Sequence, residues 1–224
     1  MKKILVINAS ARNSESKSRE LTEAFIKQWK MINGEAVFSF RDLTISDVPF
    51  VTESWIEAAS KKKEERSEAD NSALEISDVY IKELKDADII VLGSPMYNWS
   101  VPGILKAYID QIVRVNETWK FNHDHSTNPY KGLLEHKTLF LLLACGGTGY
   151  GKGEPNEDMN FQNTYLELVF QLIGIHNIHT VAIDGVSVDP EKLCQRVETA
   201  HQTIKNLIAN KVYKNIKPNY ESQQ

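Results

Sequence analysis

Five apolar runs of strand length alternate along this chain with five segments of helical period, and few folds accommodate that order. The first run, residues 3–9 (KILVINA), is rich in β-branched residues and begins almost at the first residue. The others fall at 36–40 (AVFSF), 87–94 (ADIIVLGS), 137–144 (KTLFLLLA) and 178–183 (IHTVAI). After the first, Leu21, Phe25, Trp29 and Ile32 recur at helical spacing up to Asn33-Gly34, a pair that stops helices. Residues 74–84 form the second amphipathic segment. Pro102 opens the third, where Ile104, Leu105, Tyr108, Ile109, Ile112 and Val113 make one apolar stripe. Residues 165–173 form the fourth, and the last runs from Asp189-Pro190 to Asn210. Strict alternation implies right-handed crossovers, and hence a parallel sheet covered on both faces: an α/β fold of three layers. Five strands suggest the order 2-1-3-4-5.

The 224 residues suit one elaborated unit, read as 1–210 with a charged insertion at 49–73 and a C-terminal tail at 211–224. The run Lys61-Lys62-Lys63-Glu64-Glu65-Arg66 reads as a solvated helical face without chemistry. A formal charge of −4, with acids and bases interleaved, leaves no basic face for nucleic acid. Cys145 and Cys194 are the only cysteines, too few for a disulfide framework or a zinc spacing, which suggests a reducing cytosol. The N-terminal apolar stretch is too short for a signal peptide, and residues 139–145 fall far short of the ~20 needed to cross a bilayer. A soluble, cytoplasmic protein is expected.

In such a sheet ligands gather beyond the carboxyl ends of the strands, where the strand order reverses. Three loops meet there. The first, residues 10–18 (SARNSESKS), lacks glycine and cannot be a G-x-G-x-x-G dinucleotide turn. It offers Ser10, Ser14, Ser16 and Ser18 with Arg12 and Lys17, at the start of a helix whose dipole and free N–H groups favour an anion such as a phosphate monoester. The plain alternative is that Ser16 or Ser18 only caps the helix. The second loop, Pro95, Met96, Tyr97, Asn98, Trp99 and on to Pro102, puts bulky polarizable side chains after a central strand. They suit either a wall against a flat heteroaromatic ring or a plug in the helix–sheet core. In the third, Ala144, Cys145, Gly146, Gly147 and Tyr150 precede Gly151-Lys152-Gly153. Its P-loop-like spacing fails because Gly153 stands where a Mg²⁺-binding hydroxyl belongs; the glycines are better read as letting backbone N–H groups approach a ring edge.

Other chemistry is poorly supported. Cys145 ends a buried-type strand and reads as a small hydrophobe more naturally than as a nucleophile. His123-Asp124-His125 lacks a third ligand signal for a metal, and Asn98-Trp99-Ser100 matches a glycosylation acceptor without a secretory signal. No metal and no side-chain nucleophile is expected.

The segment SPMYNW at 94–99, with Pro102 and the helix ending at Arg114, the strand-one loop, Gly146-Gly147 and Ile173-Gly174-Ile175, resembles the FMN-dependent azoreductases and NAD(P)H quinone reductases of the flavodoxin-like fold. The resemblance covers nearly the whole chain. It implies FMN with its phosphate at Ser10, Ser16, Lys17 and Ser18, its ring along Pro95, Met96, Tyr97, Asn98 and Trp99, and its polar edge at Ala144, Cys145, Gly146, Gly147 and Tyr150. Trp119 and Phe121, in the connection 116–135, resemble the family's acceptor-pocket segment. The resemblance implies ping-pong reduction of a quinone or azo compound by NADH or NADPH through the flavin, in a homodimer. Ala144-Cys145 departs from the Ser-Arg pair common in azoreductases, which bears on acceptor preference. A flavodoxin-type electron carrier, with the same fold and FMN but protein partners, is the competing reading.

Overall fold

The computed structural model describes residues 1–33, 35–122, 129–188 and 190–216. A parallel sheet is built from β1 (Lys2–Asn8), β2 (Ala36–Asp42), β3 (Ile89–Pro95), β6 (Thr138–Ala144) and β7 (Asn177–Ile183). Its order, β2-β1-β3-β6-β7, is the expected 2-1-3-4-5 once β6 and β7 are counted as the fourth and fifth strands of the sheet. Ile4 of β1 pairs with Phe38 on one side and Ile89 on the other, so β1 and β3 lie side by side in register.

Side chains alternate between two buried layers. Leu5, Ile7, Ile90, Leu92, Leu139 and Leu141 pack against α3 (Glu68–Asp86), α4 (Gly103–Ile112) and α5 (Phe161–Leu172), through Ile81, Tyr108 and Phe170 among others. Ile4, Val6, Val91, Phe140 and Leu142 pack against α1 (Lys17–Asn33) and α6 (Pro190–Ile216), through Phe25, Trp29 and Ile204. Both faces are covered, which is why the central strands read as continuous apolar runs. Buried Arg114 locks α3 to the end of α4 by donating to Ser77 Oγ at 2.8 Å and pairing with Asp78.

The insertion is more structured than the sequence suggests. It holds α2 (Glu53–Ser60), and α3 starts at Glu68, ahead of Leu74, because Ser67 and Asp70 form a reciprocal capping box. The charged run is a 3-10 turn at Lys63–Glu65 and not a helical face. Its ends are tied down: Lys61 Nζ lies 2.7 Å from Asp70 and Arg66 Nε donates to Ala58 O at 3.2 Å.

A second departure is the antiparallel pair β4 (Trp119–Phe121) and β5 (Tyr130–Gly132), within what reads as an irregular connection. Gly132 lies so close to Gly174 that a Cβ on it would fall 2.1 Å from Gly174 N. Together with bonds from Leu133 and Leu134 N–H to Ile173 O, this seats the pair at the amino end of the sheet, beside the start of β7. The last helix runs to Ile216, past the expected end at Asn210. His123, Asp124, His125, Gly34 and Asp189 lie outside the described residues. Among those described, no helix is long and apolar enough to cross a membrane.

Candidate functional site

β1 and β3 are neighbours, yet the helices that follow them, α1 and α4, lie on opposite faces. The chain therefore parts at their carboxyl ends and leaves a crevice of about 200 Å³. All three anticipated loops reach it. Ser10, Ser16, Lys17 and Ser18 line it from the first, with Arg12 and Glu15; Pro95, Met96 and Tyr97 from the second; Ala144, Cys145 and Gly146 from the third. A neighbouring cavity of about 340 Å³ shares Met96, Ala144 and Cys145 and adds Tyr150.

The polar end forms where α1 begins. Ser16 does cap the helix, its Oγ accepting from Arg19 N at 3.4 Å, but the cap accounts for only one hydroxyl. Ser10 and Ser18 are buried at 2% and 0% exposure and also face the crevice, whereas Ser14 is exposed outside it. The N–H groups of Lys17 and Ser18, in the first turn, have no intrahelical acceptor. Lys17 Nζ is engaged with Glu20 at 2.7 Å, so its charge is partly spent within the helix, while Arg12 is exposed at the rim. This end can accept an anion. It is held against β3 by a close approach: a Cβ at Gly93 would lie 2.6 Å from Thr22 Cγ2 and 2.9 Å from Asn8 Oδ1.

The second loop starts as an extension of the sheet, Met96 N–H donating to Ala144 O at 2.7 Å. It then folds into a tight turn closed by mutual bonds between Tyr97 and Ser100, 2.9 and 3.1 Å long. Asn98 and Trp99 occupy the turn with φ of 48° and 63°, the left-handed pair that a two-residue type I′ turn demands. Trp99 remains 47% exposed and, like Asn98, does not line the crevice; both stand beyond Tyr97 at its margin. They are therefore not a plug in the core, and a bulky aromatic held at positive φ in the open is a strained feature.

The third loop is tied to the loop after β7. Ser187 N–H donates to Gly146 O at 3.1 Å and Gly185 N–H to Gly147 O at 2.7 Å. Both carbonyls are thus taken, while among the described bonds the N–H groups of Gly146 and Gly147 are not. A Cβ at Gly147 would sit 3.1 Å from Tyr150 Oη, so glycine there lets the tyrosine ring fold over the loop. Cys145 donates its thiol to Gly147 O at 3.4 Å, and burial pushes its pKa up to about 11. A neutral thiol is no nucleophile at ordinary pH.

Trp119 and Phe121 are not brought to this crevice. They cluster with Tyr130, ring centroids 5.1 and 5.4 Å from Trp119, at the opposite end of the sheet. Phe121 and Tyr130 stay exposed at 51% and 45%.

The model of a family described as the flavodoxin-like fold matches residues 2–208. The chain belongs to that family. An FMN-dependent NADH:quinone oxidoreductase 1 of Trichormus variabilis is 36% identical to this flavodoxin-like chain over 206 residues, 92% of it and 95% of the relative. An FMN-dependent NAD(P)H:quinone oxidoreductase 1 of Pseudomonas aeruginosa is 38% identical over 186 residues, covering 83% and 88%. The crystal structure of an azoreductase from Bacillus anthracis, 25% identical, aligns with a TM-score of 0.84 over 94% of this chain and 100% of that one.

Three lining residues of this flavodoxin-like crevice fall outside the sequence candidates: Glu15 in the first loop, and Val186 and Ser187 from the loop after β7. The signal was available, because the rule that ligands gather at carboxyl ends applies to the fifth strand as well as to the first three loops.

Proposed function

We propose that this chain binds FMN in the crevice and serves as an FMN-dependent NAD(P)H oxidoreductase, reducing a quinone or an azo compound. The observation that carries the reading is the crevice's two-ended character. Buried serine hydroxyls and free helix N–H groups stand at one end, and Met96 and Tyr97 at the other. That polarity fits a flat ring carrying a phosphate, and the names of the relatives point the same way.

FMN, when bound, supplies the hydride chemistry, accepting from the nicotinamide and passing to the acceptor in turn. The chain's own residues do the rest. Ser10, Ser16, Ser18 and the first-turn N–H groups take the phosphate, and Arg12 and Lys17 offset its charge. Met96, Tyr97, Asn98 and Trp99 form the wall along the ring. The N–H groups of Gly146 and Gly147, with their carbonyls tied back, donate to the ring's polar edge where negative charge collects on reduction. Tyr150 closes the far side, and no protein nucleophile is required.

Trp119 and Phe121 complete the acceptor pocket only if a second copy presents them, so the proposal includes a homodimer. Two exposed apolar side chains on α5 support it: Phe161 and Leu168, 59% and 63% exposed, share one helical face with Tyr165 and Leu172, which are half-buried against the core. Two free cysteines and no helix able to span a membrane among the described residues support a cytoplasmic setting.

The test mixes the protein with FMN, NADH or NADPH, and menadione or methyl red. Donor oxidation that depends on acceptor is expected. Reduced flavin that accumulates stably without turnover favours an electron carrier, and failure to take up FMN ends the reading.

A further inference from the structure

Arg19 lies one side chain back from the crevice, does not line it, and is 14% exposed. Every face of its guanidinium is engaged. Nε donates to Arg12 O at 2.9 Å and Nη2 to Ser10 O at 2.8 Å. Nη1 and Nη2 also grip Asp42 at the end of β2, at 2.6 and 3.0 Å, and Nη2 reaches Thr44 Oγ1 at 3.2 Å. We infer that Arg19 sets the site's preference for a phosphorylated over an unphosphorylated flavin from outside the crevice, by holding the Ser10 and Arg12 carbonyls away from the anion. The inference rests on the proposal that the crevice takes FMN.

In a trans peptide the C=O and the following N–H point in opposite directions. Fixing the Ser10 carbonyl toward Arg19 therefore turns Ala11 N–H the other way, and fixing Arg12 O does the same for Asn13 N–H. Neither N–H donates to a protein acceptor among the described bonds. Ser10 and Arg12 both line the crevice, so either carbonyl, if released, could swing its lone pairs toward the phosphate and add a repulsive acceptor beside it.

Charge is not Arg19's contribution, because Asp42 already neutralises it. Burial favours the protonated Asp42 carboxyl, but hydrogen bonds from Arg19 and Thr44 outweigh that and hold its pKa below the usual value. The ion pair persists through neutral pH and leaves the anion's compensation to Arg12, Lys17 and the helix dipole. Arg19 is thus a positioning residue that acts through two peptide groups.

The test titrates wild-type, Arg19→Lys and Arg19→Gln/Asp42→Asn apoprotein with FMN and, separately, with riboflavin, following quenching of flavin fluorescence. Lysine keeps the charge but cannot fork across two carbonyls and a carboxylate. The double variant removes the fork together with both charges, so the net charge beside the anion is unchanged, and it serves if Arg19→Lys fails to fold. In each variant the FMN dissociation constant should rise by about tenfold, the scale of one charge-assisted hydrogen bond, while that for riboflavin stays within about twofold. Equal weakening of both ligands means that Arg19 merely braces the loop and overturns the inference, as does unchanged FMN affinity. Wild-type protein that binds neither flavin removes the functional proposal, and this inference with it. Wild-type protein that binds FMN while the variants keep its preference removes this inference alone.

Discussion

Trp99 separates the demands of the fold from those of the site, and two substitutions at this position pull them apart. With φ at 63°, Trp99 sits where an L-residue costs about 1 to 2 kcal/mol and glycine nothing. Trp99→Ala keeps the Cβ and therefore keeps the cost. Trp99→Gly relieves it but gives back about 0.4 to 1 kcal/mol through the freer unfolded chain. The glycine variant should thus be more stable than the alanine variant by roughly 0.5 to 1 kcal/mol, read as a higher urea midpoint of the apoprotein at unchanged slope. Both lose the same indole, so both should bind FMN more weakly by a similar factor. An aromatic contact is worth about 0.5 to 1.5 kcal/mol beyond its area, or roughly two- to twelvefold in dissociation constant. Equal urea midpoints would refute the left-handed turn. Alanine and glycine variants with wild-type FMN affinity and acceptor KM would refute the placement of this loop beside the ring.

Cys145→Ala should retain bound flavin and turnover. In wild type, alkylation of this residue by iodoacetamide should stay slow at pH 8 and climb toward pH 11, since the native thiol ionises near 11. Because the unfolded chain loses that proton first, Cys145 should also make folding stability fall as pH rises from 9 toward 11, and a Cys145→Ala variant should lack that component of the decline. Leu168→Glu should yield monomers by light scattering, with FMN still bound and acceptor turnover reduced; dimers with wild-type turnover would remove α5 from the interface. Gly93→Ala forces a methyl toward Thr22 and Asn8, and should destabilise the fold by about 1 to 3 kcal/mol by urea denaturation while loosening the FMN phosphate end.

Much of this molecule can be read from its sequence because its sheet is buried on both sides. Continuous apolar runs such as Leu139 to Leu143 have only one place to go, and alternation with helices then dictates parallel pairing. The carboxyl-edge rule brought Ser10, Met96 and Gly146 to one crevice although they are distant in the chain. What was missed has local physical causes. The capping box at Ser67 and Asp70 turned a run of mixed charge into a tied 3-10 turn, a competition that charge patterning alone does not weigh. The β4–β5 pair is too short to leave a periodic signal, and its seat depends on Gly132 meeting Gly174, a contact across distant segments. Trp119 and Phe121 lie between α4 and β6, and a helix-to-strand connection in a parallel sheet falls at the amino edge, so the order of elements already sets them away from the crevice of their own chain. Arg19 carries no signal of its own in the sequence; its surroundings, Ser10 O, Arg12 O and Asp42, come together only in the fold.

The third loop ties the carbonyls of Gly146 and Gly147 to Ser187 and Gly185 and leaves the amides of these two glycines without an acceptor among the described bonds. An amide N–H does not gain or lose a proton across the physiological range, and no substitution short of proline deletes it. Grip on the ring's edge should therefore be insensitive to acidity and tolerant of sequence drift, which places any pH dependence of turnover on the acceptor, the donor or the phosphate rather than on this loop.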